Sequence, residues 1–265
     1  MKPFVTFTSD FGRSDTYVAS VRMAILSRVQ ETILVDVTHD VPPFMPLLAL
    51  PPLIEILEVS PPDSIHLVVV DPGVGSVRRP LIGVADKTRF VFPDNGLPRQ
   101  LTRWVENLRF YHLSRPSTFG GAATATFQGR DLFAPAVAAL CLGVRAEEMG
   151  PEIHADDLAR DTTFLESGPD RLLVWNVDRF GNVLLGFRAS TPPMKITIES
   201  HGVALPYVSR YQDVPKGHPG ILVNSSGWLE IFCREGSAAA LTGIRTGMFL
   251  DATIEGGAGR RLFDP

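Results

Sequence analysis

Four carboxylates stand where short apolar runs stop: Asp10 after Phe4–Thr8, Asp36 with His39 around the end of Ile33–Val37, Asp71 directly after Val68-Val69-Val70, and Asp94 after Phe90-Val91-Phe92. In an open α/β sheet, ligands bind in the crevice beyond the carboxyl ends of the strands, where loops and helix N-termini converge. Acids at those ends are candidates for orienting a nucleophile, ligating a metal or holding a cation. Asp is also favoured in turns and N-caps, because its side chain bonds nearby backbone N–H groups. Asp94-Asn95-Gly96 is by itself a good turn signal, and His39 suits an ordinary buried or capping position equally well. The stretch Asp71-Pro72-Gly73-Val74-Gly75-Ser76-Val77-Arg78-Arg79 says more: a strand ends in a carboxylate, two glycines permit close backbone approach, and two guanidinium groups follow. It is neither a dinucleotide fingerprint nor a phosphate loop, since no third Gly opens a helix and no Gly-Lys-Ser/Thr is present. A glycine turn with surface arginines fits the same pattern.

The elements that would position these residues follow from apolar periodicity. Tyr17–Val29 carries Val18, Val21, Ile25 and Val29 at helical spacing, Ile33–Val37 is rich in β-branched residues, and Ile65–Val70 is, His66 apart, an apolar run of the kind buried on both faces of a parallel sheet. Shorter strands are expected at Leu81–Val84 and Phe90–Phe92, and a helix at Asp131–Leu140 with Pro135 near its start. Later, Leu172–Val177, Val183–Phe187, Lys195–Ile198, Ile221–Val223, Leu229–Phe232 and Met248–Ile254 read as short strands separated by Gly, Pro, Ser and Asn. The pattern predicts an α/β N-terminal domain with a mainly parallel sheet over residues 1–165, followed by a smaller β-rich, barrel-like C-terminal domain over residues 166–265. The seam falls within Pro151–Pro169, and the change of grammar comes at about Gly168.

Composition narrows the function. The 265 residues hold 29 Asp plus Glu against 25 Lys plus Arg, a net charge of -4 that suits nucleic acid poorly. Two cysteines, Cys141 and Cys233, are too few for a disulfide framework, and the start Met1-Lys2-Pro3-Phe4 lacks the regions of a secretory signal. The apolar stretch Val41–Val59 is interrupted by Pro42, Pro43, Pro46, Pro51 and Pro52 and contains Glu55 and Glu58, which rules it out as a membrane span. A soluble cytoplasmic protein is expected.

Seven motifs occur in one order along the chain. They are Ser9-Asp10-Phe11-Gly12 with Asp15, Val35-Asp36-Val37-Thr38-His39, Val70–Ser76, Pro93-Asp94-Asn95-Gly96, Phe127-Gln128-Gly129-Arg130-Asp131, Asp178-Arg179-Phe180-Gly181-Asn182 and Asn224-Ser225-Ser226-Gly227. Together they resemble the S-adenosyl-L-methionine hydroxide adenosyltransferase family, relatives of fluorinase and chlorinase, from about Phe4 to Leu250. The resemblance implies the two-domain fold above and a homotrimer whose sites lie between one subunit's N-terminal domain and its neighbour's C-terminal domain. It also implies hydrolysis of S-adenosyl-L-methionine (SAM) to adenosine and L-methionine by attack of water on C5′, without cofactor or metal.

Carried over on that resemblance, Asp10 would bind the ribose hydroxyls, Asp15 would lie near the methionine end, and Phe44 would line the sugar and sulfonium pocket. Phe180 would stack on adenine, Asn182 and Ser225 would hydrogen-bond its edge, and Tyr211 would supply another adenine-side aromatic. For Phe44, Phe180 and Tyr211, ordinary core packing is the competing expectation. The family's hydrolytic Asp, Arg and His fall on Asp71, Arg78 and Gln128, so the third member is replaced. Gln exchanges hydrogen bonds but cannot take up a proton near neutral pH. Because a neutral thioether leaves, the reaction needs no general acid at the leaving group; its main demand is an oriented, poorly hydrated water opposite sulfur. Asp71 would then orient the water, Arg78 fix Asp71, and Gln128 help to place the water. Three other readings stay open: a SAM- or adenosine-binding protein with little turnover, a halogenase, and a hydrolase holding Mg²⁺ or Mn²⁺ on Asp10, Asp36, Asp71 and Asp94.

Overall fold

The structure is a computed structural model that describes residues 2–122, 126–160, 171–198 and 205–263. The chain divides into two units, Met1–Asp161 and Thr162–Pro265, each with its own core. The change of unit falls in residues 161–170, so Gly168 and the C-terminal end of the expected seam lie outside the described residues.

In the first unit, alternation of β-branched runs with helical spacing gives β1 (Phe4–Ser9), α1 (Tyr17–Leu26), β2 (Ile33–Thr38), α2 (Leu50–Val59) and β3 (Ile65–Val69). There follow β4 (Pro80–Ala85), β5 (Thr88–Pro93), α3 (Leu97–Leu101), β6 (Arg109–His112), α4 (Ala134–Cys141), α5 (Ala146–Met149) and β7 (Glu152–Ile153). The sheet order is β2-β1-β3-β5-β4-β6-β7. The first four of these strands run parallel, while β4, β6 and β7 extend the sheet through antiparallel pairings. The carboxyl ends of β1, β2, β3 and β5 therefore share one edge, and β3 is buried along its whole length.

One expected helix is divided and one unforeseen helix appears, and in both proline decides. The helix expected at Asp131–Leu140 divides into a π-helical turn, Gly129–Phe133, and α4. Pro135 has no N–H for the Asp131 carbonyl four residues back, and that carbonyl accepts instead from Ala122 N at 2.8 Å. The proline-rich stretch, for which no helix was expected, forms a 3₁₀ turn at Pro46–Ala49 and then α2, with Pro51 and Pro52 in the first turn, where backbone N–H groups lack intrahelical partners anyway. The first helix also stops at Leu26, three residues short of Val29.

The second unit is a nearly closed antiparallel sheet of β8 (Arg171–Val177), β9 (Val183–Thr191), β10 (Lys195–Ile198), β11 (Pro219–Val223), β12 (Trp228–Cys233), β13 (Phe249–Glu255) and β14 (Ala258–Arg261), with a short α6 (Ala238–Thr242). Its order is β10-β13-β8-β9-β12-β11, with β14 on β9, and Leu172, Val174, Leu185, Ile221 and Ile231 fill its interior. The α/β and barrel-like β-rich classes are those the sequence pattern implies. Among the described residues, no helix is long and apolar enough to cross a membrane.

Candidate active site

β3 delivers Asp71 to the carboxyl edge of the sheet, and the loop after it is shaped so that the chain returns a guanidinium onto that carboxylate. Gly75 takes φ 80°, and Ser76 N bonds the Gly73 carbonyl at 3.0 Å. A side chain on Gly73 would press on Arg78 Cγ at 3.1 Å, so glycine there leaves room for the returning arginine. Arg78 Nε donates to Asp71 Oδ1 at 2.8 Å, and its Nη2 donates both to Asp71 Oδ2 and to Gln128 Oε1. The guanidinium lies 5.4 Å from the centre of the Phe133 ring. The pair is largely withdrawn from solvent, with side-chain exposures of 10% for Arg78 and 6% for Asp71. Arg78 Nη1 is buried without a hydrogen-bond partner among the described residues. Gln128 reaches this cluster from the residue preceding the π-helical turn, a distortion often found at functional sites.

Asp10, at the end of β1, accepts the Phe44 backbone N–H at 3.2 Å. Burial raises its pKa above the ordinary 3.8, the backbone bonds oppose this, and the charge of Asp71 adds to the rise. Phe44 holds a left-handed backbone, φ 66°, and is 75% exposed. A non-glycine residue in that conformation is strained, and this side chain repays none of the strain by packing in the core. Asp15 is exposed in the segment before α1.

The other two strand-end acids are committed elsewhere. Asp94 takes two bonds from Arg79, at 2.9 and 2.6 Å, and the Ala159 N–H at 2.9 Å. Asp36 lies inside β2 rather than at its end, and takes Arg22 Nη1 at 2.6 Å. Among the described residues no three His, Cys, Asp or Glu side chains converge as a metal site, so the four-aspartate cation reading has no donor set.

In the second unit, the turn between β8 and β9 presents Phe180 at 76% exposure. Asp178 builds this turn by accepting from Phe180 N, Asn182 N and Asn182 Nδ2 at 2.9, 2.8 and 3.0 Å. With one amide hydrogen given to Asp178, Asn182 still offers Oδ1 as an acceptor. Phe180, Asn182, Tyr211, Gln212 and Arg234 line a cavity of about 590 Å³. Tyr211 packs edge-on to Phe232 and donates to the buried Glu230 at 2.8 Å, while Asn224 donates to the other Glu230 oxygen at 3.2 Å. Burial, with Glu230 beside it, pushes the Tyr211 hydroxyl up to about 12, and burial raises Glu230. Ser225 is exposed on the Asn224–Gly227 turn and does not line this cavity.

The family model of the SAM hydroxide adenosyltransferase N-terminal domain matches residues 5–150, and that of its C-terminal domain matches residues 173–250. The chain belongs to the SAM hydroxide adenosyltransferase family. A relative from Thermus thermophilus, named (R)-S-adenosyl-L-methionine hydrolase, is 36% identical over 94% of this chain and 98% of its own. A fluorinase from Actinopolyspora mzabensis is 22% identical over 95% of this chain and 97% of its own. A solved structure from Thermotoga maritima superposes with a TM-score of 0.82 at 24% identity, covering 94% of this chain and all of its own, which is a likeness of fold.

Within this SAM hydroxide adenosyltransferase chain, Arg78 bonds both Asp71 and Gln128, Asp10 joins Phe44, and Phe180, Asn182 and Tyr211 share one cavity. Asp15 and Ser225 stand outside these groups. Sequence reasoning gave no part to Phe133, Asp178 or Glu230. Asp178 had a signal, since Asp-x-x-Gly-Asn is a side-chain-bonded turn; Glu230, inside an apolar strand, had only its burial against expectation.

Proposed function

We propose that the protein hydrolyses S-adenosyl-L-methionine to adenosine and L-methionine by attack of an oriented water on C5′. The observation that carries this reading is the withdrawn Asp71–Arg78–Gln128 cluster, in a chain of this family. Asp71 accepts a hydrogen from the water, Arg78 fixes the carboxylate in a two-point grip, and Gln128 holds Arg78 through Oε1. A water bound there would also satisfy the buried Arg78 Nη1. As the new C–O bond forms and the C5′–S bond breaks, the sulfonium becomes a neutral thioether and the attacking oxygen becomes strongly acidic. A weak base suffices to take its proton and pass it to solvent, so replacement of the family His by Gln128 leaves a workable route.

Substrate recognition is assigned as follows. Asp10 takes the ribose hydroxyls, Asp15 lies toward the methionine end, and Phe44 covers the sugar and sulfonium. Phe180 and Tyr211 flank adenine, and Asn182 Oδ1 accepts from its amino group, with Ser225 at the outer edge. The reaction so written consumes only SAM and water and uses no cofactor. We assign the protein to the cytoplasm as a homotrimer; its free Cys141 and Cys233 suit a reducing compartment. Sedimentation equilibrium giving a monomer mass would remove the trimer.

The deciding experiment is incubation with SAM followed by chromatographic identification of products. Adenosine and methionine in equal amounts are expected. A 5′-halo-5′-deoxyadenosine as main product would establish a halogenase instead. Gln128 favours one second reading, a binding protein with little turnover, for which adenosine would bind by calorimetry while long incubation with SAM released none.

A further inference from the structure

Directly beneath Asp10 lies a buried chain of polar groups that the reaction does not use. Ser9 is 0% exposed and His39 2%. Ser9 Oγ lies 2.8 Å from His39 Nδ1, His39 Nε2 lies 3.3 Å from Asp36 Oδ1, and Arg22 Nη1 holds the other Asp36 oxygen at 2.6 Å. His39 reaches this place through a β-bulge: β1 pairs with β2 as Phe7 to Asp36 and then Thr8 to Thr38, leaving Val37 as an extra residue. Around the side chains, the loops after β1 and β2 are laced together by Gly12 N to His39 O at 2.8 Å, Val41 N to Ser9 O at 3.3 Å, and Phe44 N to Asp10 Oδ2 at 3.2 Å.

The hydrogens in this chain have a direction. The Phe11 backbone N–H donates to Ser9 Oγ at 3.4 Å, which leaves the Ser9 hydroxyl hydrogen free to point at His39 Nδ1. Nδ1 is then the acceptor, which leaves the ring proton on Nε2, where Asp36 Oδ1 lies 3.3 Å away without hydrogen-bond geometry and supplies its attraction through charge alone. The opposite tautomer would set the Nε2 lone pair against that carboxylate. A doubly protonated ring would force Ser9 Oγ to accept twice, from Phe11 N and from Nδ1, and would leave its hydroxyl hydrogen without an acceptor among the described residues. Burial keeps the imidazole neutral, lowering its pKa below 6.5 against the pull of Asp36 and Asp40, with Arg13 acting in the same direction as burial. The Phe7 ring packs edge-on 4.8 Å away.

We propose that His39, in its Nε2–H tautomer and relayed through Ser9, is a positioning residue that fixes the Asp10 and Phe44 loops in the shape that receives the ribose of the substrate. The inference rests on the reading of Asp10 as the ribose-binding carboxylate. A Ser–His–Asp chain elsewhere activates a nucleophile; here Ser9 is sealed off from any substrate, so the same groups serve as a brace.

Histidine-labelled protein gives the tautomer directly from the ¹⁵N shifts of the two ring nitrogens, independently of turnover. His39 protonated on Nε2 and bare on Nδ1 at pH 7 is expected; a proton on Nδ1 would overturn the proposal. Ser9→Ala should raise the adenosine Kd and the KM for SAM about fivefold, the worth of one buried hydrogen bond, with kcat within about twofold of wild type. His39→Leu should do at least as much. His39→Asn, which keeps an acceptor near Nδ1, should recover part of the loss. Folded Ser9→Ala and His39→Leu proteins whose adenosine Kd stays within about twofold of wild type would overturn the proposal, as would a fall in kcat at constant KM. A wild-type protein inert toward SAM would defeat the hydrolase reading alone, since the tautomer and the adenosine Kd would still judge the brace.

Discussion

Replacing Asp71 by Asn separates turnover from binding and stability, and the structure sets the size of each effect. Asn keeps the shape and one acceptor oxygen but removes the charge that both Arg78 contacts address. Arg78, only 10% exposed, would keep Gln128 and the face of Phe133 but lose its carboxylate. Removing one partner of a buried pair costs about 3–5 kcal/mol. The lower end applies because those two contacts remain, so Tm should fall by about 6–12 °C for a chain of this size. Loss of the proton acceptor should lower kcat by about 10²–10⁴-fold, while adenosine, which lacks the sulfonium, should bind within about threefold of wild type. The double variant Asp71→Asn, Arg78→Met closes the argument. With no stranded charge it should regain most of the lost Tm and none of the lost turnover. Chromatographic rates, calorimetry and a thermal scan read the three quantities. Turnover within tenfold of wild type in Asp71→Asn, or an adenosine affinity that falls as far as kcat, would refute the role given to Asp71.

Gln128→His should raise kcat by about tenfold if an imidazole at this position takes up the proton; an unchanged rate would mean that the residue only holds Arg78. Asp10→Asn should stabilise the free protein at neutral pH. The folded pKa of Asp10 is raised, so its ionised form opposes folding above that pKa, and the gain in Tm should vanish as pH falls through it toward 3.8. The same raised pKa predicts that KM for SAM climbs on acidification before an ordinary aspartate would titrate, a rise that Asp10→Asn should lack. Phe44→Gly should add about 1 kcal/mol of stability by relieving φ 66° while raising KM, read by thermal scan and initial rates. Tyr211→Phe should cost about 1–3 kcal/mol by leaving the buried Glu230 oxygen unpaired, with adenosine affinity within about threefold because the ring remains.

Much of the fold was legible because its strands announce themselves: Ile65–Val69 is buried on both faces and could hardly be anything else. The helices were harder. Leu50–Val59 was hidden by prolines that read as interruptions, although Pro51 and Pro52 occupy the only turn of a helix that tolerates them. Residue type also does not fix direction. Arg78 and Arg79 are neighbours with the same chemistry, yet one turns to Asp71 and the other to Asp94. Pairing of that kind separates the four strand-end acids, and no composition or spacing states it. The aromatics divide likewise. Phe44 and Phe180 are exposed against every packing preference, and that exposure, invisible in the sequence, is what supports their proposed place against the ligand.

That separation sharpens what an overall charge of -4 can mean. Asp36 and Asp94 are each matched by an arginine, so neither adds net charge at the sheet edge. Asp10 and Asp71 remain there, with Arg78 the one cation bonded to either among the described residues, which leaves one negative charge in excess. A sulfonium neutralises that excess on arrival and offsets both the burial that holds the Asp10 pKa up and the smaller contribution of the Asp71 charge. A halide would increase it: at about 4 Å and an effective dielectric near 20, one further like charge costs roughly 4 kcal/mol, about a thousandfold in occupancy. Water brings no charge and can donate to Asp71 while presenting a lone pair to C5′. On the proposed assignment, the choice of nucleophile follows from the one strand-end carboxylate left without an arginine, Asp10, and Gln128, neutral in either role, does not alter that balance.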